Sequence, residues 1–368
     1  IVVDAMTDQT EHLNIREEVL TTIGHVSIIV SDFQPMLEHI DEVIAEYSQL
    51  NSKPNNDSDL ENLEFLHWLR DGNFTFLGSA DFRFVDQSSD STMCELSDSR
   101  LGLLKIREKL PDAKISSLSR GFADFYKGGE DLAFAKSSVR STVHRDTYPD
   151  YVVVKRYEGN RVIGETRFLG LYTARLYHLS IEQIPLVRKK AKWLLEQSRF
   201  NPTGHNGKAY ISILEGHPRD ELIQGRLPDL LETTLSIWKI YERRTVKLFI
   251  RFGAFQKFVS CIVYIPRESL RTETREKIEQ LLSTAFDARS SEYTTQFLAE
   301  SVLARIHYVF RVTNETYLGA DPKRLEDSIV EIVHDWSDRF VEVALSRWGE
   351  EKGTTLSREY KNAFPAAY

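Results

Sequence analysis

The stretch from Arg140 to Arg145 (RSTVHR) concentrates side chains that could bind an anion. Within it, His144 is flanked by the two arginines and by the hydroxyl residues Ser141 and Thr142. A guanidinium group forms two parallel hydrogen bonds with a carboxylate, so Arg140, His144 and Arg145 are predicted contacts for an anionic effector. A solvated segment leading into a strand, or a network of salt bridges between modules, would use the same residues.

No catalytic, cofactor or metal site is predicted from the other motifs. A dinucleotide-binding turn needs glycines two residues apart after a strand, so that the backbone approaches the pyrophosphate; none of the 18 glycines has another glycine at that spacing. The 10 histidines form no HxH or HxxxH pair for a metal. Ser260 and Cys261 lie in an apolar run without a base nearby in the sequence, which predicts core packing.

The composition is typical of a globular protein, with 41% hydrophobic and 28% charged residues. The net charge of −8 argues against general binding to nucleic acid or to an anionic membrane. No apolar run reaches the roughly 18 residues that span a bilayer. The two cysteines, Cys94 and Cys261, form neither a disulfide framework nor a CxxC metal pair. These features predict a cytoplasmic protein.

Hydrophobic periodicity predicts the elements that would position these residues. In the first 50 residues, His25–Val30 (HVSIIV) is predicted to be a strand and Pro35–Leu50 an amphipathic helix. The polar stretch Asn51–Asp59 then marks a module boundary.

A second module is predicted from a helix with leucines on one face, followed by residues with a period of two. Phenylalanines alternate with polar or small residues on both sides of Gly78, which predicts a hairpin that turns near this glycine. Two further strands, Tyr151–Tyr157 and Arg161–Leu169, complete an antiparallel sheet decorated with helices.

The last part of the chain predicts a connecting helix at Pro185–Gln197, a sandwich of strands and helices, and a helical tail at Leu325–Trp348. The sandwich has the order β-α-β-β-α-β of a ferredoxin-like fold, with these elements in sequence: Ala209–Leu214, Arg219–Tyr241, Thr245–Phe252, Lys257–Ile265, a helix to Phe286, and Ala304–Val312. The predicted fold class is therefore α+β, with several modules and antiparallel sheets.

Several segments resemble the large bacterial NAD-dependent glutamate dehydrogenases. The octapeptide Asp71–Gly78 (DGNFTFLG) looks like the family signature DxNFxFLG, and the similarity continues in the same order along the chain. The other matching segments are Lys136–Tyr177, Ile184–Arg188, Ile213–Gln224, Ser260–Arg267 and Phe364–Tyr368.

The resemblance implies a parent enzyme that oxidises L-glutamate to 2-oxoglutarate and ammonia with NAD, in a catalytic domain further toward the C-terminus. No catalytic residue of the family has a matching position here. The family organisation implies five regions: a truncated ACT-like module at 1–52, a PAS-like module at 57–182, a connecting helix and loop at 183–206, an ACT-like ferredoxin-like domain at 207–316, and the start of a helical region at 320–368.

The expected function is thus that of a non-catalytic regulatory and oligomerisation region. Its expected partners are the catalytic domain of the same chain, further copies in a homo-oligomer, and an amino-acid effector, with no cofactor bound by the region itself. Two alternatives remain open at this level. The modules could be architectural spacers without a ligand, or the PAS-like module could be a small-molecule sensor.

Overall fold

A computed structural model describes residues 9–50, 57–84, 93–95, 97–106, 125–126, 128–253, 257–297, 301–312, 320–334, 336–360 and 363. The chain divides into two compact units, Ile1–Leu231 and Glu232–Tyr368. Each unit has its own antiparallel sheet. Of the predicted features, most of the boundary at Asn51–Asp59 and the motif at Phe364–Tyr368 lie outside the described residues.

The first unit combines helices with one sheet. Its helices are α1 (Gln9–Ser31), α2 (Phe33–Leu50), α3 (Asp57–Trp68), α4 (Leu103–Ile106), α5 (Arg175–His178), α6 (Val187–Ser198), α7 (His205–Gly216) and α8 (Arg219–Gln224), and α9 (Leu227–Ile240) contains the boundary between the units. Its strands are β1 (Phe74–Phe84), β2 (Met93–Glu95), β3 (Leu101–Gly102), β4 (Leu132–Lys136), β5 (Asp150–Glu158) and β6 (Arg161–Tyr172).

The six-stranded sheet has the order β2-β1-β6-β5-β4, with β3 also paired to β1. Successive side chains of a strand point to opposite faces, and α2 and α3 cover one face. There Phe65 of α3 packs edge-on against Phe134 of β4, at a centroid distance of 5.5 Å. Helix α2 buries Met36, Ile40 and Tyr47, whose spacing places them on one side of a helix.

The strand predicted at His25–Val30 is wrong, because these residues belong to helix α1. Ile29 is buried, whereas Ile23 and Val30 are 58% and 68% exposed. Buried and exposed positions therefore follow the turns of a helix, and tertiary packing overrides the β propensity of this run. The helix predicted at Pro35–Leu50 is confirmed and begins at Phe33.

The hairpin predicted near Gly78 is also wrong. Residues Phe74–Phe84 form one continuous strand, with an irregularity in its register between Phe76 and Gly78. A bulge of this kind adds one residue to a strand and changes which side chains face the core. The strands predicted from Tyr151 and Arg161 are confirmed as β5 and β6.

The second unit has a four-stranded sheet with the order β7-β8-β10-β9, in which all pairs are antiparallel. The strands are β7 (Lys247–Phe252), β8 (Phe258–Pro266), β9 (Ala288–Phe297) and β10 (Leu303–Val312). The helices are α10 (Thr272–Ala285), α11 (Pro322–Val333) and α12 (Trp336–Glu359). Cys261, Ile278, Ile306 and Ile329 lie in its hydrophobic core.

The order of elements in this sandwich corrects the predicted β-α-β-β-α-β. Residues Ala209–Leu214 form part of helix α7 rather than a strand, because Tyr210, Ile213 and Leu214 are buried at helical spacing. The strand β9 was not predicted. The observed order is β-β-α-β-β-α, and all strand pairs among the described residues of this unit are antiparallel. The broader prediction, an α+β protein with antiparallel sheets and a helical C-terminal segment, is confirmed.

The remaining helices lie at the predicted positions, but their first and last residues differ from the prediction. The connecting helix is Val187–Ser198, the helix from Arg219 is divided into α8 and α9 around Gly225, and the tail consists of α11 and α12. Among the described residues, no helix is both long and apolar enough to cross a membrane.

Candidate functional site

Arg140, the first residue of the predicted anion site, lies in the segment between β4 and β5. A bridge between Ser141 and Thr147 closes this segment. The Arg140 Nε donates to Asp146 Oδ1 at 2.8 Å and its Nη2 donates to the Asp146 carbonyl at 2.7 Å. The guanidinium group also lies over the ring of Tyr148, 5.1 Å from its centroid. Arg140 therefore holds its own segment together.

His144 and Arg145 have different surroundings. His144 is exposed and adopts a left-handed backbone conformation, with φ of 71°. The Arg145 Nη2 donates to the carbonyl of Tyr172 at 2.6 Å, which ties the segment to the end of β6. The two arginines thus bind separate acceptors within the chain.

A group of buried charges that was not predicted lies on the face of the first sheet opposite α2. Lys155 of β5 is directly across from Glu165 of β6, and Arg167 is two residues further along β6. We call these three residues the buried charge cluster. They are 2%, 0% and 5% exposed, respectively. Burial of three charged side chains on adjacent strands is costly unless each is compensated.

Glu165 and Arg167 compensate each other. The Arg167 Nε and the Tyr126 hydroxyl both donate to the Glu165 carboxylate, and the Arg167 guanidinium lies over the ring of Phe82 at 4.1 Å. Burial by itself would lower the pKa of Arg167, but Glu165 raises it. The pKa of the Tyr126 hydroxyl is raised by burial and by Glu165, so this hydroxyl remains a donor.

Lys155 is compensated differently. Its Nζ donates to the Gly128 carbonyl at 2.8 Å and lies over the ring of Phe125, 4.6 Å from the centroid. Burial lowers the pKa of Lys155, although Asp131 and Glu130 oppose this. The carboxylate of Asp131 accepts hydrogen bonds from the hydroxyls of two tyrosines, Tyr47 and Tyr157.

A polar network on the other face of the sheet joins α2 to β1. His39 Nδ1 is 2.8 Å from Ser79 Oγ and its Nε2 is 3.3 Å from Asp81 Oδ1. Asp81 also accepts from Thr166 at 2.5 Å and pairs with Arg156 at 3.2 Å. The residue types are those of a serine hydrolase, but Ser79 is 0% exposed, so its hydroxyl cannot meet a substrate. The network holds α2 on the sheet.

A third cluster joins the edge of the sheet to helix α8. Lys136 Nζ is 2.9 Å from Asp150 Oδ1 and 3.7 Å from Asp220 Oδ2, and Gln224 Nε2 donates to Asp150 Oδ1 at 3.3 Å. Burial alone would lower the pKa of Lys136, but the two aspartates raise it. Strands β4 and β5 are thereby linked to α8 by charge.

Two further features bear on chemistry. In the second unit, Ser260 Oγ lies 2.8 Å from His307 Nε2, so a base is nearby in space although none is near in sequence. Both side chains are buried between neighbouring strands, at 6% and 7% exposure. Cys261 is a fully buried thiol that is not part of a disulfide, which agrees with its predicted core position. The part of the chain that the structure describes contains no group of three residues suited to a metal ion.

Comparison with known families identifies the class of the second unit and its neighbours. Residues 247–337 match the model of the glutamate dehydrogenase ACT2 domain, which contains the four-stranded sheet. Residues 184–243 match helical motif 1 of glutamate dehydrogenase, and residues 344–368 match helical motif 2. The fold and these matches define an α+β region with a unit that is similar to the ACT2 domain of glutamate dehydrogenase.

Curated relatives extend the similarity to glutamate dehydrogenases to the whole chain. The NAD-specific glutamate dehydrogenase of Halomonas elongata is 36% identical over 100% of this chain and 23% of its own length. The enzyme of Pseudomonas aeruginosa is 33% identical over 96% of this chain and 22% of its own length. The enzyme of Mycobacterium tuberculosis is 26% identical over 83% of this chain and 18% of its own length. The chain is a homologue of the N-terminal region of the NAD-specific glutamate dehydrogenases, and it spans less than a quarter of these relatives.

Among solved structures, the ligand-binding domain of Mlp24 with asparagine aligns with 87% of this chain and 97% of its own, at 14% identity and a TM-score of 0.20.

Proposed function

We propose that the chain is the non-catalytic regulatory and assembly region of an NAD-dependent glutamate dehydrogenase. The parent reaction is the conversion of L-glutamate, NAD and water to 2-oxoglutarate, ammonia and NADH. The observation that carries this proposal is the alignment of the entire chain with 23% of the Halomonas elongata enzyme. On this proposal NAD and the catalytic domain belong to another part of the same cytoplasmic polypeptide, which assembles as a homo-oligomer.

An ACT-type domain and a sheet with one charged, covered face support a regulatory role. Residues 57–182, which contain that sheet, are the proposed PAS-like module. Regulation requires that an effector bind two states of the region with different affinities. The contacts of Lys136 with Asp150 and with Asp220 are the proposed link within the first unit, because they connect the sheet to α8 in helical motif 1.

The proposed effector is an amino acid. Arg140, His144 and Arg145 remain a proposed anion contact, in which an effector carboxylate would compete with Asp146 for Arg140. The variant Arg140→Ala tests this contact, and Arg161→Ala, at an exposed position, is its control. We expect weaker effector binding in the first variant and unchanged binding in the second, measured by calorimetric titration.

A second candidate function is that of an architectural spacer without a ligand. The hydrogen bonds of Arg140 and Arg145 to protein acceptors favour it, since they occupy the predicted anion contacts. A thermal unfolding screen with amino acids separates the two functions. Binding to the folded state raises its stability by roughly 2.7 kcal/mol at a hundredfold excess over Kd, whereas a spacer shows no shift with any amino acid.

The main experiment compares the complete dehydrogenase with a form that lacks this region. We expect the truncated enzyme to lose its response to amino-acid effectors and to change its oligomeric mass, measured by kinetics and light scattering. Lys136→Met in the complete enzyme should weaken the effector response without abolishing hydride transfer. Turnover of glutamate with NAD by the isolated chain would show that the region is catalytic and would refute the proposal.

A further inference from the structure

The ammonium group of Lys155 is buried in the first unit, and its partners among the described residues are a backbone carbonyl and an aromatic ring. An ammonium has three N–H donors, and the hydrogen bond to the Gly128 carbonyl accounts for one of them. No carboxylate among the described residues forms an ion pair with Lys155. Its stabilisation comes from that carbonyl and from the ring of Phe125, both of which are weaker partners than a carboxylate.

A carboxylate that could pair with Lys155 is present on the neighbouring strand, but it binds other residues. Lys155 and Glu165 are directly opposite on antiparallel strands, where side chains of opposite charge normally pair. Instead, Arg167 and Tyr126 occupy the Glu165 carboxylate. The buried charge cluster therefore contains two cations and one anion, and its excess positive charge is located at Lys155.

The cover over Lys155 is a surface segment. Phe125 is buried, but Gly128, Gly129 and Glu130 are exposed. Gly129 has no atom within 4 Å of the position that a Cβ would take. Displacement of the Gly128 carbonyl from Lys155 therefore moves exposed backbone and leaves the packing of the sheet intact.

We propose that Lys155 is the anchor of a binding site for the carboxylate of a small organic acid, on the face of the sheet opposite α2. The ligand carboxylate replaces the Gly128 carbonyl at the Lys155 ammonium, and the rings of Phe125 and Phe82 border the site. The Glu165 carboxylate stays with Arg167 and Tyr126, so the site recognises the ligand through the ligand's own carboxylate. As the effector site of a dehydrogenase, the assignment rests on the proposed function; as a binding site, it is tested on this chain alone.

The test is calorimetric titration of the chain with sodium L-glutamate and sodium 2-oxoglutarate, against sodium chloride at equal ionic strength. We expect Lys155→Met, which removes the ammonium and keeps most of the side-chain stem, to lower the affinity for the bound acid about tenfold or more. Lys192→Met, at an exposed position of α6, is the matched control and should bind as the wild type does. Binding of either acid that is lost in Lys155→Met supports recognition of the ligand carboxylate by the Lys155 ammonium.

A second measurement on the unmodified chain covers the case in which Lys155→Met does not fold. Hydrogen exchange with and without the bound acid should change in residues 125–132 and in β5. The proposal is overturned if neither acid binds, if Lys155→Met and Lys192→Met bind equally well, or if exchange in these segments stays the same. Binding at Lys155 without an effect on the complete dehydrogenase would show that this site is not an effector site and would leave the binding site itself in place.

Discussion

His39 of α2 and Asp81 of β1 lie 3.3 Å apart, and this contact joins the long N-terminal helices to the centre of the first sheet. Burial by itself would raise the pKa of Asp81, but His39, Thr166 and Arg156 lower it below its usual value. The folded state therefore favours the ionised carboxylate. Its contribution to stability is present above the pKa of an unfolded aspartate, near 3.9, and is lost as the pH falls through the lower pKa of the folded state.

We therefore expect the free energy of unfolding to fall below about pH 4, and Asp81→Asn to make this fall shallower. Urea unfolding between neutral and acidic pH, followed by circular dichroism, measures both effects. Asp41→Asn is the matched control, because Asp41 pairs with Arg70 at an exposed position and surface pairs contribute little. An identical acid dependence in all three proteins would exclude the proposed role of Asp81.

Lys190 caps helix α8. Its Nζ donates to the carbonyls of Leu222, Ile223 and Gly225 at 3.0, 2.7 and 2.9 Å, so all three N–H groups have an acceptor at the end of the helix. Lys190→Met leaves these carbonyls without their donor, and we expect a loss of about 1–3 kcal/mol of stability. Urea unfolding should show no such loss for Lys192→Met. Equal stabilities of the two variants would contradict the capping role.

Gly164 of β6 faces the backbone of β1 at very close range. A Cβ at this position would lie 2.0 Å from the Phe82 carbonyl oxygen, so Gly164→Ala forces the two strands apart. We expect a loss of about 1–3 kcal/mol, measured by thermal or urea unfolding. Gly129→Ala, where a Cβ meets no atom within 4 Å, should stay within roughly 0.5 kcal/mol of the wild type. Tolerance of Gly164→Ala would show that the strands are less closely packed.

Glu326 of α11 protects the free edge of the second sheet. Its carboxylate accepts from the Leu248 N–H at 3.0 Å and pairs with Lys247 at 2.9 Å, on the edge strand β7. An edge N–H without a partner is a site for unwanted strand pairing. We expect Glu326→Gln to reduce stability by about 1–3 kcal/mol and to increase association at high concentration, measured by sedimentation. Glu331→Gln, exposed on the same helix, serves as the control.

Local patterns predicted the elements whose period is unambiguous. Helix α2 and strands β5 and β6 were predicted because their apolar residues repeat with the period of the element that they form. The runs His25–Val30 and Ala209–Leu214 are short and apolar, and such a run fits a strand or a buried helix equally well. Their helical state is decided by packing, as the buried side chain of Ile29 and the exposed side chain of Val30 show.

The buried charge cluster could not be predicted for a related reason. Charged residues that alternate with apolar residues along a strand normally indicate a solvent-facing side, and Lys155, Glu165 and Arg167 follow this pattern. Their burial depends on Phe125 and Tyr126, which are about 30 to 40 positions away in the sequence and are brought over the sheet only by the fold. The anion contacts at Arg140 and Arg145 were chosen by composition, which does not reveal the acceptors that these arginines find within the chain.

The reactivity of the buried Cys261 thiol reports the opening of the second unit. A thiol that is 0% exposed reacts with a labelling reagent only when the surrounding core separates, so its modification rate under native conditions measures the free energy of that opening. In a Cys94→Ser background the signal comes from one position. The labelling rate of this one thiol would then show how far a bound partner or effector stabilises the ACT-type domain against opening.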